Sequence, residues 1–334
     1  MLIPDPIPCA AAQSLQAIDL MLQADRILTF VDPASTTQDA LDHAARVAAA
    51  SNAVLHVMPL SLFAGGEGPP ATEQNGSMDD TWTEAPLRAA ARIAPEVVVM
   101  DPVHTADALV QRVSDQSIDL VVADTPHDRG PIPLLASRPV ASMARRLDIP
   151  LFVVGHRPID QPIRRILVPT DFSEHARSAL AHAKALATIY DASIDVLHVL
   201  ERPQYVALNA TDMLAMSDAT IPERKARRRS EAFVDSINGT RVGTEVHLDH
   251  GDAPDCIGHF VDRHSIDLVV LATHGVIGQP NHPLGTVAEK VLRRVTQPVF
   301  LTRAFGRSIV AATPSTNVRS DGATGQTPNI NPQP

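Results

Sequence analysis

With 334 residues, 44% of them hydrophobic and 20% charged, the chain has ordinary globular composition and the length for two domains, each able to bury a core. A formal net charge of −10 gives no sign of a polyanion-binding chain, and the two cysteines, Cys9 and Cys256, lie in unrelated segments, which argues against a disulfide scaffold or a thiolate metal site and suits a reducing compartment. Met1–Ala12 carries Asp5 and three prolines and does not read as a signal peptide, and no apolar run approaches the roughly 18 residues needed to span a bilayer, so a cytoplasmic protein is expected.

Aromatic residues make up only 3% of the chain, so its cores must be built from Val, Ile, Leu and Ala. In chain order, Ile27–Val31 predicts a strand, Ala40–Ala50 a helix and Val54–Val57 a second strand. Pro59–Pro86, rich in Gly, Pro, Ser and Asp, predicts a mobile crossover. Glu96–Met100, Ala106–Gln116, Leu120–Ala123, Val140–Leu147 and Leu151–Val154 then alternate strand and helix, and His156–Gln161, with two prolines, joins the halves. The second half repeats the pattern. Ile166–Val168 is too short for a helix and suits a buried parallel strand. Ser173 is placed to cap a helix whose apolar stripe is Ala176, Ala179, Leu180, Ala183, Leu186 and Ala187. A strand through Ile194–Val199 follows, then a long crossover at Arg202–Pro222, a helix at Glu223–Ile237 and a strand through Val242–Leu248. A helix at Asp255–His264, a central strand at Leu268–Leu271, a helix at Thr286–Val295 and a last strand at Val299–Leu301 complete the half.

The halves are copies of one unit. Ser-Ile-Asp-Leu-Val-Val occurs at Ser117–Val122 and again at Ser265–Val270. Arg26-Ile27-Leu28 with Asp32 matches Arg165-Ile166-Leu167 with Asp171, and Leu55-His56-Val57 matches Leu197-His198-Val199. Alternating strands and helices with such crossovers imply an α/β protein of two tandem doubly wound parallel-sheet domains. The expected organisation is an N-terminal extension over residues 1–24, a first domain over 25–156, a second over 157–305, and a tail over 306–334 whose Pro, Ser, Thr, Asn and Gly content predicts disorder.

In an open parallel sheet, ligands sit at the carboxyl ends of strands where the strand order reverses. In the second half Asp171, Val199 and Gly275 fall just past or at such ends, and Gly285-Thr286 opens a helix. Glycine admits close backbone approach to an anion, a helix start presents free N–H groups, and Thr286 adds a hydroxyl donor. This set can hold a di- or triphosphate, leaving Asp171 and the backbone of Val199 for a base. In the first half Asp124, His127, Ser137 and Arg138 stand at the positions of Ala272, Gly275, Gly285 and Thr286, and only Asp32 survives from the set.

Asp171, Leu197-His198-Val199 and the spacing Ala-x2-Gly-x9-Gly-Thr at Ala272, Gly275, Gly285 and Thr286 resemble a universal stress protein domain. The resemblance covers Arg164–Arg303 well and the first half more weakly. It implies an adenine nucleotide alpha hydrolase-like, Rossmann-like fold and ATP, with Mg²⁺, as ligand. It implies that Asp171 and Val199 contact adenine, that Ala272 lies near the ribose in place of the family's glycine, and that Gly275, Gly285, Thr286 and Val287 hold phosphate. The expected function is a stress-response ATP-binding regulatory module that uses the second domain, with the degenerate first domain as a non-binding pseudo-dimer partner. The resemblance further implies that the last strand of each half pairs with the other, with homodimerisation beyond that left open. A nucleotide-independent interaction scaffold and a slow Mg²⁺-dependent ATPase are the alternatives; no catalytic residue is nominated, and neither nucleic acid nor membrane is expected as a partner.

Other features have plainer readings. Asp171 also suits a helix-entry cap. His247, Asp249, His250, Asp252 and Asp255 have metal-ligand chemistry but run from a strand into a loop, where neighbours point to opposite faces, so no metal is expected. His56 and His198 recur at one strand position and read as packing residues. Arg224, Lys225 and Arg227–Arg229 read as a solvated helix face. Cys256, near a helix start, is in a place that favours a thiolate, against a default of an inert buried thiol.

Overall fold

The computed structural model describes residues 20–31, 39–59, 87–103, 105–124, 138–154, 161–201, 220–237, 242–275, 284–303 and 306–310. Most of both long crossovers, the linker between the halves, and Cys9, Asp32, His127 and Ser137 lie outside them. In the first half the strands are β1 (Arg26–Val31), β2 (Val54–Pro59), β3 (Glu96–Val99), β4 (Leu120–Ala123) and β5 (Leu151–Val153), with helices α1 (Asp39–Ser51), α2 (Ala106–Asp115) and α3 (Arg138–Arg146). The second half has β6 (Arg165–Pro169), β7 (Ser193–Leu200), β8 (Thr244–His250), β9 (Leu268–Ala272) and β10 (Val299–Thr302). Its helices are α4 (Glu174–Tyr190), α5 (Thr220–Asp235), α6 (Ala253–Arg263) and α7 (Thr286–Leu292). α3 opens at Arg138 as α7 opens at Thr286, so the repeat holds through the last helix of each half. Among the described residues no helix is long and apolar enough to cross a membrane.

The strands form one ten-stranded sheet in the order β3-β2-β1-β4-β5-β10-β9-β6-β7-β8. Every adjacent pair is parallel except β5 and β10, which pair antiparallel with Phe152 opposite Phe300. Each half is doubly wound, and its strand order reverses between β1 and β4 or between β6 and β9. The strands are apolar on both faces because helices cover both, as a parallel sheet requires. One core face carries Phe152, Phe300, Leu180 and Leu41, the other Leu151, Val153, Val299 and Leu301, and both run through the joint between the halves.

The repeated hexapeptide is a register device. Ser117 and Ser265 take left-handed backbone, φ 49° and 51°, and turn the chain out of α2 and α6. The Asp119 carboxylate then accepts the N–H groups of Asp25 and Arg26 at 2.8 and 3.0 Å, while Asp267 accepts those of Arg164 and Arg165 at 2.8 and 2.9 Å. Each aspartate thus ties the start of its central strand to the start of the first strand of its half. Ile, Leu and the two Val supply the buried sides.

Side chains also bind one half to the other. The Arg303 guanidinium donates to the carbonyls of Ala144 at 2.7 Å, Ile149 at 2.9 Å and Met143 at 3.3 Å, which satisfies the C-terminal end of α3. Burial lowers its pKa to about 10, with Asp148 acting in the opposite direction. Phe152 and Phe300 meet with ring centroids 5.8 Å apart, flanked by His43 and His182, and His43 Nδ1 lies 2.8 Å from the Tyr190 hydroxyl.

Composition predicts disorder from residue 306, and here the structure departs from that reading. Gly306–Val310 returns over the first half. Arg307 ion-pairs with Asp119, Val310 bridges Leu22, and the Gln23 N–H donates to the Ile309 carbonyl. The physical reason is local: Ile309 and Val310 are an apolar pair in a polar segment, and both are buried. The extension is likewise ordered at its end, where Leu20, Leu22 and Ala24 are buried.

Two expected outcomes follow from these contacts. Arg303→Ala leaves three carbonyls without their donor and lowers the unfolding free energy by about 3 kcal/mol, read from urea denaturation with an unchanged slope. His182 Nδ1 lies 2.7 Å from the Ser178 carbonyl and so carries the proton, leaving Nε2 to accept the Ile309 N–H. Burial pushes the His182 pKa down to about 4. The unfolded chain takes up this proton near its usual value of about 6.5 while the folded chain does not. Stability is therefore full above that value, falls as pH drops toward 4, and loses about 3 kcal/mol by then. Melting curves of His182→Gln should show a shallower pH dependence than wild type over that interval.

Candidate functional site

The strand order reverses between β6 and β9, and only Ile166–Leu268 and Leu167–Val269 pair across that junction. Beyond them the strands part, and a cavity of about 860 Å³ opens at their carboxyl ends. That is the size and position expected of a ligand crevice in a doubly wound sheet. Asp171, Val199, Ala272, Gly275, Gly285, Thr286 and Val287, nominated from sequence alone, all line it. They come from the ends of β6, β7 and β9 and the start of α7.

A strained turn sets the direction of Asp171. Phe172 has φ 63°, which is rare for a bulky residue. Two side chains hold it there: Thr170 Oγ1 accepts the Phe172 N–H, and Asp171 Oδ1 accepts the Ser173 N–H, each at 3.0 Å. Ser173 Oγ caps α4 by accepting the Ala176 N–H at 3.1 Å. Strain of this kind costs on the order of 1–3 kcal/mol and persists only where the surroundings fix it. Asp171 therefore does help shape the helix entry, through one oxygen. Its other oxygen lies over Gly275, where a β-carbon would collide with it.

The opposite wall is fixed through backbone. The Thr273 N–H donates to the Thr302 carbonyl at 2.9 Å, and the Gly285 N–H donates to the Thr273 carbonyl at 2.7 Å. A β-carbon on Gly285 would stand 3.0 Å from that same carbonyl, so glycine suits the close approach. α7 is short, and Gly285 caps it with its carbonyl accepting from Glu289. The Gly285 N–H is thus spent inside the protein, and the next amides, those of Thr286 and Val287, stand at the cavity wall.

Of the wall residues that were not nominated, three bear on the site's chemistry. Phe172 follows Asp171 directly, and His198 precedes Val199. Their rings lie 4.3 Å apart, and His198 Nδ1 donates to the Thr170 carbonyl at 2.8 Å. The packing role read for His198 therefore holds, in a place that also borders the cavity. Buried His56 lacks an equivalent bond: neither ring nitrogen has a hydrogen-bond partner among the described residues. The third is Arg229, whose guanidinium carbon stands 4.5 Å from the Phe172 ring centroid. Arg224, Lys225, Arg227, Arg228 and Arg229 are all exposed, as a solvated face should be, and Arg229 also borders the cavity. Nothing in the run of five basic residues marks which one reaches the cavity.

The five residues weighed as metal ligands do not converge. His250 Nε2 pairs with Glu223 at 2.8 Å, and His247 Nε2 pairs with Asp195 at 2.8 Å. The group that does converge is Asp195, Glu245 and His247. There Arg165 donates to both oxygens of Asp195, at 3.0 and 3.1 Å, so a guanidinium already pairs with that carboxylate. Cys256 is buried, and burial together with Asp249, Asp252 and Asp255 raises its pKa, so burial first and those acids second overrule the thiolate-favouring helix start.

These features define a class: a tandem doubly wound α/β protein with a crevice at the switch point of its second half. Comparison with known proteins narrows it. A family model described as the Universal stress protein family matches residues 23–155 and again residues 162–303. The chain belongs to the universal stress protein family, with two copies of the domain in tandem. Universal stress protein MJ0531 of Methanocaldococcus jannaschii is 26% identical over 146 residues, covering 42% of this chain and 82% of that protein. A solved structure of a universal stress protein from Pseudomonas aeruginosa UCBPP-PA14 matches 84% of this chain and 93% of its own, with a TM-score of 0.63 at 16% identity, a likeness of fold. A further universal stress protein, 21% identical over 42% of this chain and 98% of its own with a TM-score of 0.30, has been solved in complex with cAMP.

A pH expectation follows for Cys256. Site-resolved mass spectrometry after brief iodoacetamide treatment at pH 7 should find it alkylated more slowly than a free cysteine. The rate should climb only at alkaline pH, because the reactive form is the thiolate.

Proposed function

We propose that the second domain binds an adenine nucleotide, ATP with Mg²⁺, in the crevice between β6 and β9, and that the chain acts as a stress-response regulatory module in the cytoplasm. The convergence of Asp171, Val199, Ala272, Gly275, Gly285, Thr286 and Val287 on one cavity carries this reading. In it Asp171 Oδ2, the oxygen that lies over Gly275, accepts from the exocyclic amine of adenine, and the Val199 backbone meets the base edge. Ala272 packs its methyl group against the ribose. The Thr286 and Val287 amides and the Thr286 hydroxyl donate to phosphate, with Gly275 giving room for the chain to approach. Mg²⁺ bound to the phosphates offsets their charge in a cavity that already carries Asp171 and Glu201.

The first half serves, in this proposal, as a pairing partner without a nucleotide. Asp124 stands where the second half has Ala272, beside the ribose, and sets a negative charge near a polyphosphate. The segment from Gly275 to Gly285 contains no lysine, so it is not a P-loop, and no base or arginine is nominated to activate water. Binding that biases conformation or partner choice is therefore favoured over turnover.

Equilibrium dialysis of the full chain with labelled ATP and Mg²⁺ tests the reading. Saturable binding at one site per chain is expected. Gly285→Val, which crowds the Thr273 carbonyl, should weaken it by about tenfold or more, equivalent to about 1.4 kcal/mol. No binding at millimolar ATP would sink the proposal, and unchanged binding by Gly285→Val would show that the site lies elsewhere.

A further inference from the structure

Arg229 is the one cationic side chain among the described residues that line the cavity; the other charged groups there are Asp171 and Glu201. Among the described residues no hydrogen bond or ion pair holds it. The residue is exposed, and its guanidinium carbon packs 4.5 Å from the Phe172 ring centroid. Phe172 is itself immobilised: its backbone is locked at φ 63° by Thr170 and Asp171, and its ring lies against His198 and edge-on to Phe233 at 5.7 Å. A guanidinium that packs on a locked ring and also borders a cavity presents a flat, pre-oriented cationic surface to the occupant. The ring contact favours this orientation before a ligand arrives.

Its place along the cavity decides what it meets. Phe172 is bonded to Asp171, and His198 is bonded to Val199, the two residues read as the base end. The phosphate end, Gly285 and Thr286, is built on the far wall from β9 and α7. Arg229 comes from α5, which packs on β7 and β8. We propose that Arg229 is a specificity-determining residue of the crevice. Its guanidinium stacks on the face of the purine, with Phe172 as backing, while Asp171 and Val199 take the purine edge. Planar stacking of arginine on an aromatic base is favourable by about 0.5–2 kcal/mol, and lysine, lacking the plane, does not reproduce it.

This inference rests on the nucleotide reading, and its test separates the two. Titration calorimetry of the full chain uses adenosine, ATP and inorganic tripolyphosphate as probes, against wild type, Arg229→Ala and Arg229→Lys. Circular dichroism melts verify that the variants fold. The expected result is a loss of about tenfold in affinity for adenosine and for ATP alike in both variants, with tripolyphosphate unchanged. Adenosine binding as tight as wild type in Arg229→Ala would overturn the assignment. So would a pattern in which Arg229→Ala loses only ATP and tripolyphosphate and Arg229→Lys restores them, since that is a phosphate contact by charge. If wild type binds neither adenosine nor ATP, the nucleotide reading fails and the role of Arg229 falls with it. If wild type binds and only the variants behave unexpectedly, the nucleotide reading stands alone.

Discussion

The hold of Asp267 on the first amides of β6 is the constraint on which the second half depends. It joins β9 to β6 at their amino ends, where one carboxylate oxygen takes two N–H groups. From there the strands pair over only two positions before the chain leaves β6 toward one face of the sheet and β9 toward the other. Closed at one end and divergent at the other, the pair makes the cavity a geometric consequence of the sheet. Asp119 repeats the clamp in the first half, which is why the hexapeptide is shared by halves that differ so much downstream. The aspartate belongs to the scaffold and stands apart from the residues that line the cavity.

Much of this was legible in the sequence, for a definite reason. Strands such as Ile166–Val168 and Leu268–Leu271 are buried on both faces, so apolar runs and helical stripes mark them without ambiguity. The internal repeat then aligns weak signals in one half with strong ones in the other. The candidate site was readable because its residues sit at strand ends and helix starts, positions that periodicity locates. What stayed hidden depends on contacts distant in sequence or on single torsions. The left-handed backbone of Phe172 has no glycine or asparagine to announce it. Arg229 is indistinguishable from its four basic neighbours until α5 is packed against Phe172. Ile309 and Val310 were lost in the average composition of a polar segment, although two buried apolar side chains are enough to order a short stretch.

The joint between the halves combines apolar and polar terms in different roles. Pairing of β5 with β10 removes two edges that would otherwise expose unpaired amides and invite association. Phe152 and Phe300 fill the core behind that seam. Arg303 and the segment ending at Val310 add polar and backbone contacts that reach from the end of one domain to the helix end and first strand of the other. Buried neutral His182 lies under this segment, so the same place that secures the halves also carries an acid sensitivity.

The single antiparallel pairing in the sheet has a directional consequence. Since β1–β5 run one way and β6–β10 the other, the carboxyl ends of the two strand sets emerge from opposite rims of the molecule. The crevice of the second half therefore opens on the rim opposite the carboxyl ends of β1–β5. The two rims are thus separate surfaces carried on one sheet, and an occupant of one meets none of the strand ends of the other.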